Sequence, residues 1–534
     1  MALPASEIRL PRTVWALLAT FAAVLAVLHE RIMVVRTDAA RFTFDAAEYA
    51  LAGRAWLETG RLVTPFVHPA ALGGSPGPPY PLLVGHPLVP ALDALAFMLA
   101  GSTPAATVLP AMLAYVFTVL LTSRLALALT GSRAAALAAG AALALHPWAL
   151  RYAVEGQSEM PFAALYTGAL ILLLRLPQQP RPLWLGVVLG LAHLARPVAV
   201  PLLPAFALGI VLLAPAAQRM SALVRAAMGF APFALMVLLY RWSATGSPFA
   251  DAGSYLLLTG VDPAHAVSKL NRMAPPPAAL EWIRANPDLW LQKLMRNART
   301  LSAGAVWWAG RPLVYAALAA TVWLVARGGT RARGFLFAIL VAMLTLFGLS
   351  AATVADPRML FPFLPATIAL ALTGLSRAAE GIARGQRSRV AALMAAVIVV
   401  CALPLARLWR ASLARSEPAA GTYREREWRG IGLGVRAMLP ATGLVASDAA
   451  PWIAWYARVP TTLVPLEPGQ LVSGPARLRP VAVVLTNEWL TSQPGEEAWR
   501  ALLESRTPPP GFVVAGHVRS GRLEAVVWTR ATQP

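Results

Sequence analysis

The sequence predicts a mainly α-helical, polytopic transmembrane bundle followed by a small α/β domain. Three observations lead to this fold class. The 534 residues are 57% hydrophobic and only 13% charged, and the mean hydropathy of +0.59 is far above that of an average soluble domain. Apolar runs long enough to cross a bilayer recur along most of the chain. After them, short runs typical of β-strands alternate with helix-like runs.

About eleven apolar runs are predicted to span the membrane, because each offers close to the roughly 20 residues that cross the hydrocarbon core. The first has no convincing cleavage site and is interpreted as an uncleaved span. The run from Tyr80 to Ala100 contains several prolines and Asp93, which favour a kinked helix in the outer interface. The predicted spans are centred near residues 23, 114, 142, 168, 189, 206, 232, 319, 343, 367 and 398.

The basic residues determine the predicted topology. The formal net charge is +21, but the arginines lie in the gaps between apolar runs instead of on one polar domain, so no nucleic-acid partner is predicted. With the N-terminus inside, every predicted cytoplasmic loop carries arginine and almost no acid, as the positive-inside rule requires. These loops are 124–133, 175–181, 219–225, 327–333 and 377–389.

The same topology places most acidic residues on the outer side. Residues 1–406 are predicted to form the transmembrane domain, with outer loops at 33–103 and 242–303; the second loop contains "APPPAALEWIRANPDLW" and is interpreted as a gate. Residues 407–534 are predicted to form an outer α/β domain. Its β-type runs are "TGLVASD", "VAVVLTN", "GFVVAGHV" and "EAVVWTR". The one cysteine, Cys401, excludes a disulfide framework and a cysteine zinc site.

Asp45 and Glu48 lie in "FDAAEYALAGRAWLETG", a helix-like run after the first span. The simpler interpretation is a capping box with Asp45 at the N-cap, closed by Gly60 at the other end. The functional interpretation is that a partly desolvated carboxylate accepts the proton of an attacking hydroxyl. The two interpretations are compatible.

Glu155 and Glu159 lie beside the membrane in "LHPWALRYAVEGQSEMPFAAL". Pro161 predicts that a helix begins near Glu159, where an acid suits the positive end of the helix dipole. A carboxylate at this depth is costly unless it is paired or used in chemistry. Both a cap and a functional role therefore remain open.

Two arginines complete the candidate set. Arg196, in "GLAHLARPVAVPLLPA", is either an ordinary interfacial residue or an anion ligand. In "DPRMLFPFLPA", Asp356 and Arg358 precede a proline-bent span, either as a simple ion pair or with Arg358 holding a phosphate. Arginine suits phosphate because its planar guanidinium offers two parallel hydrogen bonds.

In their order along the chain, these segments resemble the GT-C class of integral-membrane glycosyltransferases, the group of protein O-mannosyltransferases and the lipid A aminoarabinose transferase. The resemblance rests on "DAAEYALAG", "PPYPLL", "SEMPF", "GLAHLARP" and "PRMLFPFLPA", and covers roughly residues 10–405. No single motif is specific, but the ordered set is. The C-terminal domain is similar to the small outer domain of many bacterial members.

The resemblance implies a polyprenyl-phosphate sugar donor and a lipid, glycan or protein acceptor that approaches from outside. It implies that Asp45 is the general base, that Glu159 is the second catalytic acid, and that Arg358 binds the donor phosphate, with Arg196 as a weaker candidate. Glu48, Glu155 and Tyr80 are accessory candidates. No cofactor is expected to be required, although Asp45 and Glu159 are the pair that would hold a divalent cation.

The sequence departs from the family pattern at two points. Many relatives carry adjacent acids in the first loop, whereas Ala46 follows Asp45, and the basic residue that often accompanies the "PPYPLL" segment is replaced by Gly77. The mode of donor headgroup recognition is therefore open.

Two other functions are compatible with the composition. One is a transporter or flippase for a lipid or polysaccharide, but transporters tend to place ionisable groups at mid-membrane, whereas these acids lie at span ends. The other is a non-catalytic assembly subunit. The arginine-rich, lysine-poor composition indicates a bacterial chain, expected in the inner membrane with the C-terminal domain extracytoplasmic.

Overall fold

A computed structural model describes residues 10–37, 42–68, 77–83, 86–249, 253–258, 261, 279–382, 387–414, 425–465, 467–473, 479–488 and 497–531. These residues form two compact units. Unit 1 comprises the described residues within 1–33, 108–238 and 295–415, and unit 2 those within 34–107, 239–294 and 416–534. Asp38 and the beginning of the predicted gate segment lie outside the described residues.

The helices are numbered in chain order. They are α1 (Arg12–Thr37), α2 (Phe44–Thr59), α3 (Leu88–Ala100), α4 (Val108–Thr130), α5 (Arg133–Ala144), α6 (Pro147–Val154), α7 (Glu159–Arg175), α8 (Pro182–Ala195), α9 (Ala199–Leu213), α10 (Arg219–Thr245), α11 (Ala279–Ala285), α12 (Pro287–Ala309), α13 (Arg311–Arg327), α14 (Thr330–Ala352), α15 (Leu364–Ile382), α16 (Arg387–Ala414), α17 (Glu425–Met438), α18 (Ala450–Ala457), α19 (Gln470–Ser473) and α20 (Glu497–Ser505). Short 3₁₀ helices cover Ala216–Gln218, Gly253–Leu258 and Pro357–Phe363.

The strands are short and belong to unit 2. They are β1 (Val63–Thr64), β2 (Phe66–Val67), β3 (Tyr80–Pro81), β4 (Val445–Ser447), β5 (Thr461–Leu463), β6 (Ala482–Thr486), β7 (Phe512–Ser520) and β8 (Leu523–Arg530).

Unit 1 is a helical bundle in which α4 packs against α5, α7 and α15. Every predicted span centre falls within a helix, but only six of the described helical segments are long and apolar enough to cross a membrane, or seven if the bent pair α6 and α7 is one span. By helix length and composition, the described residues therefore contain fewer membrane-spanning helices than the roughly eleven that the sequence predicts. Proline and glycine divide several apolar runs, so that α5, α8 and α9 are only 12, 14 and 15 residues long.

A sharp break separates α6 from α7, whose axes differ by 120°. Gly156 lies in this break with φ of +64°, a left-handed conformation that glycine adopts without a Cβ penalty. The helix begins again at Glu159 and has Pro161 in its first turn, as predicted. The break places Glu155 and Glu159 at the same turn of the chain.

Unit 2 contains a six-stranded mixed sheet in the order β2-β5-β4-β6-β8-β7. The four strands predicted in the C-terminal region correspond to β4, β6, β7 and β8. The sequence did not predict β2, which comes from the first loop and pairs in parallel with β5. The first loop, assigned from sequence to the transmembrane domain, thus shares a sheet with the C-terminal region.

The first-loop helix α2 packs on α3 and α18 within unit 2. Arg54 of α2 is buried, donates to the carbonyls of Ala454 and Trp455 at 3.3 and 3.1 Å, and lies over the Trp455 ring. Burial lowers the pKa of Arg54 to about 10. In the run Tyr80 to Ala100 the helix begins only at Leu88, after Pro87, so it covers 13 residues of the segment predicted to be helical.

Candidate active site

Glu159 of unit 1 is a buried carboxylate held by arginine. Its residue is 2% exposed, and its Oε1 accepts a hydrogen bond from Nη1 of Arg196 at 2.7 Å. The Nε of Arg358 lies 3.9 Å from the same oxygen. Oε2 is buried and has no hydrogen-bond partner among the described residues. The structure therefore brings together the three predicted residues Glu159, Arg196 and Arg358.

The position of Arg358 is fixed by the residue that precedes its 3₁₀ helix. Asp356 is the N-cap: its Oδ1 accepts from the backbone N–H of Arg358 at 3.0 Å, and its Oδ2 lies 2.6 Å from Arg358 Nε. The predicted Asp356–Arg358 ion pair is thus present. The side chain of Arg358 is 32% exposed, although its Nε is buried.

Glu155 has a partner of its own in the same unit. Its Oε1 accepts from Nε of Arg151 at 2.6 Å, and its charge interacts with those of Glu159 and Arg358. We name the six residues Arg151, Glu155, Glu159, Arg196, Asp356 and Arg358 the arginine–carboxylate cluster. Its three formal positive and three formal negative charges balance, so binding of a negative ligand requires that one arginine turns from its carboxylate towards that ligand.

The opposite end of α7 has a different chemistry. Arg175, its last residue, interacts electrostatically with Arg124, Arg181 and Arg331. The helix has 17 residues, so Glu159 and Arg175 are separated by roughly 25 Å along its axis at about 1.5 Å per residue. Within unit 1, the arginines of three predicted cytoplasmic loops therefore gather at the end opposite to the arginine–carboxylate cluster.

Asp45 and Glu48 lie in unit 2, on the first turns of α2. The N-cap is Thr43, whose Oγ1 accepts from the N–H of Ala46 at 3.3 Å, so the prediction that Asp45 is the N-cap was wrong by two residues. Threonine caps because its backbone is extended there and its hydroxyl reaches the first turn. Gly60 ends the helix in the left-handed conformation, as predicted. Asp45 is half-buried in the first turn.

Glu48 is buried and paired with a residue that the sequence did not single out. Both of its oxygens lie 3.2 Å from Nε2 of His68, which directly follows β2. Nδ1 of His68 is buried and has no hydrogen-bond partner among the described residues, and the ring packs edge-on against Phe66. A lone histidine after a two-residue strand carries no spacing signal, which is why sequence analysis missed it.

Tyr80, the remaining accessory candidate, is a core residue of unit 2. It is 2% exposed and packs with Val67 and Leu444. Burial raises the pKa of the Tyr80 phenol to about 12. The hydroxyl therefore stays protonated at neutral pH, and the ring contributes to packing.

Comparison with known proteins agrees with this architecture. The family model for dolichyl-phosphate-mannose-protein mannosyltransferase, PMT_2, matches residues 81–242. ArnT from Cupriavidus metallidurans, crystallised with undecaprenyl phosphate, is 14% identical with a TM-score of 0.51, and the match covers 97% of this chain and 98% of that one. This chain has the fold of a GT-C membrane glycosyltransferase. The predicted family resemblance and fold class are confirmed, and glycosyltransferase, the predicted enzyme class, is what the matched family model describes.

Other solved structures share the GT-C fold. The oligosaccharyltransferase of Archaeoglobus fulgidus in complex with Zn and sulfate is 13% identical with a TM-score of 0.58, and the match covers 91% of this chain and 69% of that one. The same enzyme tethered to an acceptor peptide containing the NVT sequon is 15% identical with a TM-score of 0.55, over 89% and 69% of the two chains. No curated protein matches the sequence.

The zinc of the archaeal structure raises the question of a metal in this GT-C protein. Within the described residues, no group of three or more His, Cys, Asp or Glu side chains is placed to bind a metal ion. Oε1 of Glu159 already accepts from the guanidinium of Arg196. The described side chains therefore do not form a metal site.

Proposed function

We propose that this GT-C protein transfers a sugar from a polyprenyl-phosphate donor to an acceptor hydroxyl, with inversion of the anomeric carbon. The observation that carries the proposal is the arginine–carboxylate cluster, in which the partly exposed side chain of Arg358 lies near buried Glu159 and its partner Arg196. A preorganised guanidinium stabilises the charge that develops on a departing phosphate. The undecaprenyl phosphate bound to the similar ArnT supports a donor of this lipid class.

The reaction needs one proton acceptor and one cationic site. In our proposal Asp45 takes the proton of the acceptor hydroxyl while the hydroxyl oxygen forms a bond to the anomeric carbon. The bond from that carbon to the phosphate oxygen breaks, and its electron pair leaves with the polyprenyl phosphate, which Arg358 and Arg196 stabilise. Attack opposite the leaving phosphate inverts the anomeric configuration, by analogy with inverting glycosidases.

Glu159 has a supporting role in this scheme. Oε1 of Glu159 accepts a charge-assisted hydrogen bond from Arg196 at 2.7 Å, so this oxygen is already engaged and is not offered to an acceptor hydroxyl. Glu159 instead fixes Arg196 and orients Arg358. This assignment leaves Asp45 as the base, and the acceptor remains a lipid, glycan or protein hydroxyl.

The proposed active face is extracytoplasmic. The arginine end of α7 carries Arg175 with Arg124, Arg181 and Arg331, and the positive-inside rule places such an end in the cytoplasm. The cluster around Glu159, at the other end of α7, then faces the periplasm of a bacterial inner membrane.

The test is a transfer assay in membranes, scored as release of undecaprenyl phosphate per mole of protein. We expect Asp45→Asn to reduce transfer at least about 100-fold, the usual range for loss of a general base. Arg358→Gln should reduce it about 10- to 100-fold, because one charge-assisted contact to phosphate is lost.

Thr43→Ala is the matched control on the same helix turn. It removes the observed cap and should lower stability by about 1 kcal/mol while leaving transfer near the wild-type level. Wild-type transfer by Asp45→Asn would refute the base assignment, and wild-type transfer by Arg358→Gln would refute the phosphate site.

A further inference from the structure

Four arginines from four different elements meet at the end of unit 1 opposite to the arginine–carboxylate cluster. Arg124 lies in α4, Arg175 ends α7, Arg181 is the N-cap of α8, and Arg331 lies in the first turn of α14. The charge of Arg175 interacts with those of the other three. We call these four residues the arginine tetrad.

Arg175 and Arg331 both lie at the C-terminal end of α7. Nη2 of Arg331 donates to the carbonyl of Leu174 at 2.5 Å and also to Oε1 of Gln178. Arg331 is thereby fixed beside Arg175, at the negative end of the α7 dipole. Three of the four side chains, those of Arg124, Arg175 and Arg331, are half-buried, and Arg181 is exposed. The tetrad is therefore a partly enclosed, oriented group of cations.

The chain segments around the tetrad arginines contain no acidic residue. Residues 94–154, 160–250 and 289–355 contain no Asp or Glu, and all four arginines lie in these segments. The nearby Arg377, which donates to the carbonyl of Thr130 at the end of α4, has its own partner in Glu380 at 2.9 Å. Four clustered like charges repel each other, and a bound anion would reduce that repulsion.

The surroundings of the tetrad suit a lipid rather than a free ion. Leu183 and Trp184, in the first turn of α8 after Arg181, are 45% and 59% exposed, and Phe337 and Leu340 of α14 are 50% and 49% exposed. Exposed tryptophan beside arginine at the end of an apolar helix is typical of the membrane interface. These side chains offer apolar surface for acyl chains next to guanidinium groups for a phosphate.

We propose that the arginine tetrad is a binding site for the phosphate headgroup of an anionic phospholipid. Guanidinium groups bind phosphate oxygens through paired hydrogen bonds, and basic pockets between membrane helices bind anionic lipid headgroups. The bound lipid joins the ends of α4, α7, α8 and α14 and neutralises their mutual repulsion. This site is independent of the donor site proposed above.

The test is retention of cardiolipin or phosphatidylglycerol by the purified full-length protein. The protein is titrated with each lipid in neutral detergent, and bound lipid is counted by native mass spectrometry. We expect the wild type to bind the anionic lipid in preference to phosphatidylcholine. Arg175→Gln/Arg331→Gln should weaken this binding at least about tenfold, because two charge-assisted contacts are removed.

The matched control is Arg225→Gln/Arg299→Gln, which removes the same charge from two exposed arginines on other helices. Equal weakening in both double variants would mean that net charge, not the tetrad, attracts the lipid, and would overturn the proposal. Unchanged binding by the tetrad variant would also overturn it. If that variant does not fold, exposed Arg181→Gln replaces it, with an expected weakening of about three- to tenfold.

Inorganic phosphate distinguishes a lipid site from a simple anion site. We expect millimolar phosphate to leave the bound lipid in place, since phosphate lacks the acyl chains that contact Trp184 and Phe337 in the proposed complex. Complete displacement of lipid by phosphate would overturn the assignment to a lipid.

Discussion

Glu159 in unit 1 and Glu48 in unit 2 are both buried carboxylates on the first turns of a helix, but their partners differ. Glu159 faces the guanidinium of Arg196 at 2.7 Å, and Glu48 faces the imidazole of His68 at 3.2 Å. A guanidinium stays protonated under all physiological conditions, so the first pair contains a permanent cation. An imidazole can gain or lose a proton near neutral pH.

This difference explains why the helix position alone does not define the role of an acid. Glu159 and Glu48 are two similar signals in the sequence, an acid at the start of a helix. In the structure, the first carboxylate organises cations that suit a phosphate. The second lies one turn after Asp45, beside a histidine, where proton transfer is the chemistry that the residue types allow.

Breaking the Glu159–Arg196 pair should have the largest effect. Glu159→Ala leaves the largely buried guanidinium of Arg196 without its carboxylate, and removing one member of a buried ion pair costs about 3 to 5 kcal/mol. The measurement is the unfolding free energy of the purified protein in detergent. Glu159→Ala/Arg196→Met removes both charges and should be more stable than Glu159→Ala. A double variant that loses the sum of both single effects would show that the pair is not coupled.

Asp448 extends the comparison to a carboxyl group that has no cationic partner among the described residues. It is fully buried after β4, and Thr486 donates to it from its backbone N–H at 3.0 Å and from Oγ1 at 2.7 Å. Burial raises the pKa of Asp448 from 3.8 to about 7, which means that the folded state holds the proton more tightly than the unfolded state. Stability from this group is present below pH 3.8 and is lost as the pH rises towards 7.

Between these two pKa values, the contribution of Asp448 to the unfolding free energy should fall by at most roughly 1.4 kcal/mol per pH unit. The measurement is the unfolding midpoint of wild type and Asp448→Asn across pH 4.5 to 8. Asparagine does not titrate, so the variant should lack this part of the decline. Identical pH profiles for the two proteins would contradict the assignment.

The sequence predicted much of the fold and part of the candidate site. Apolar run length and arginine placement located the helices of unit 1, and four of the C-terminal strands were readable from their β-type runs. Spacing could not predict that β2 of the first loop joins this sheet, because two residues carry no periodic pattern. From the sequence, Glu159 and Arg196 could be placed on the same side of the membrane, but their contact could not be predicted. The Glu48–His68 pair depends on the register of β2 with β5.

The smallest effect on stability should come from the Glu48–His68 pair. Its coupling energy can be compared directly with that of the Glu159–Arg196 pair. A double-mutant cycle of Glu48→Gln and His68→Phe should give a coupling energy of about 1 to 2 kcal/mol at pH 8, the value of a hydrogen bond to a charged group. Unfolding free energies of the wild type, both single variants and the double variant supply it. The Glu159–Arg196 cycle should give a larger coupling energy, because a guanidinium–carboxylate contact at 2.7 Å is shorter and charge-assisted. Equal coupling energies in the two cycles would remove the distinction between the two pairs.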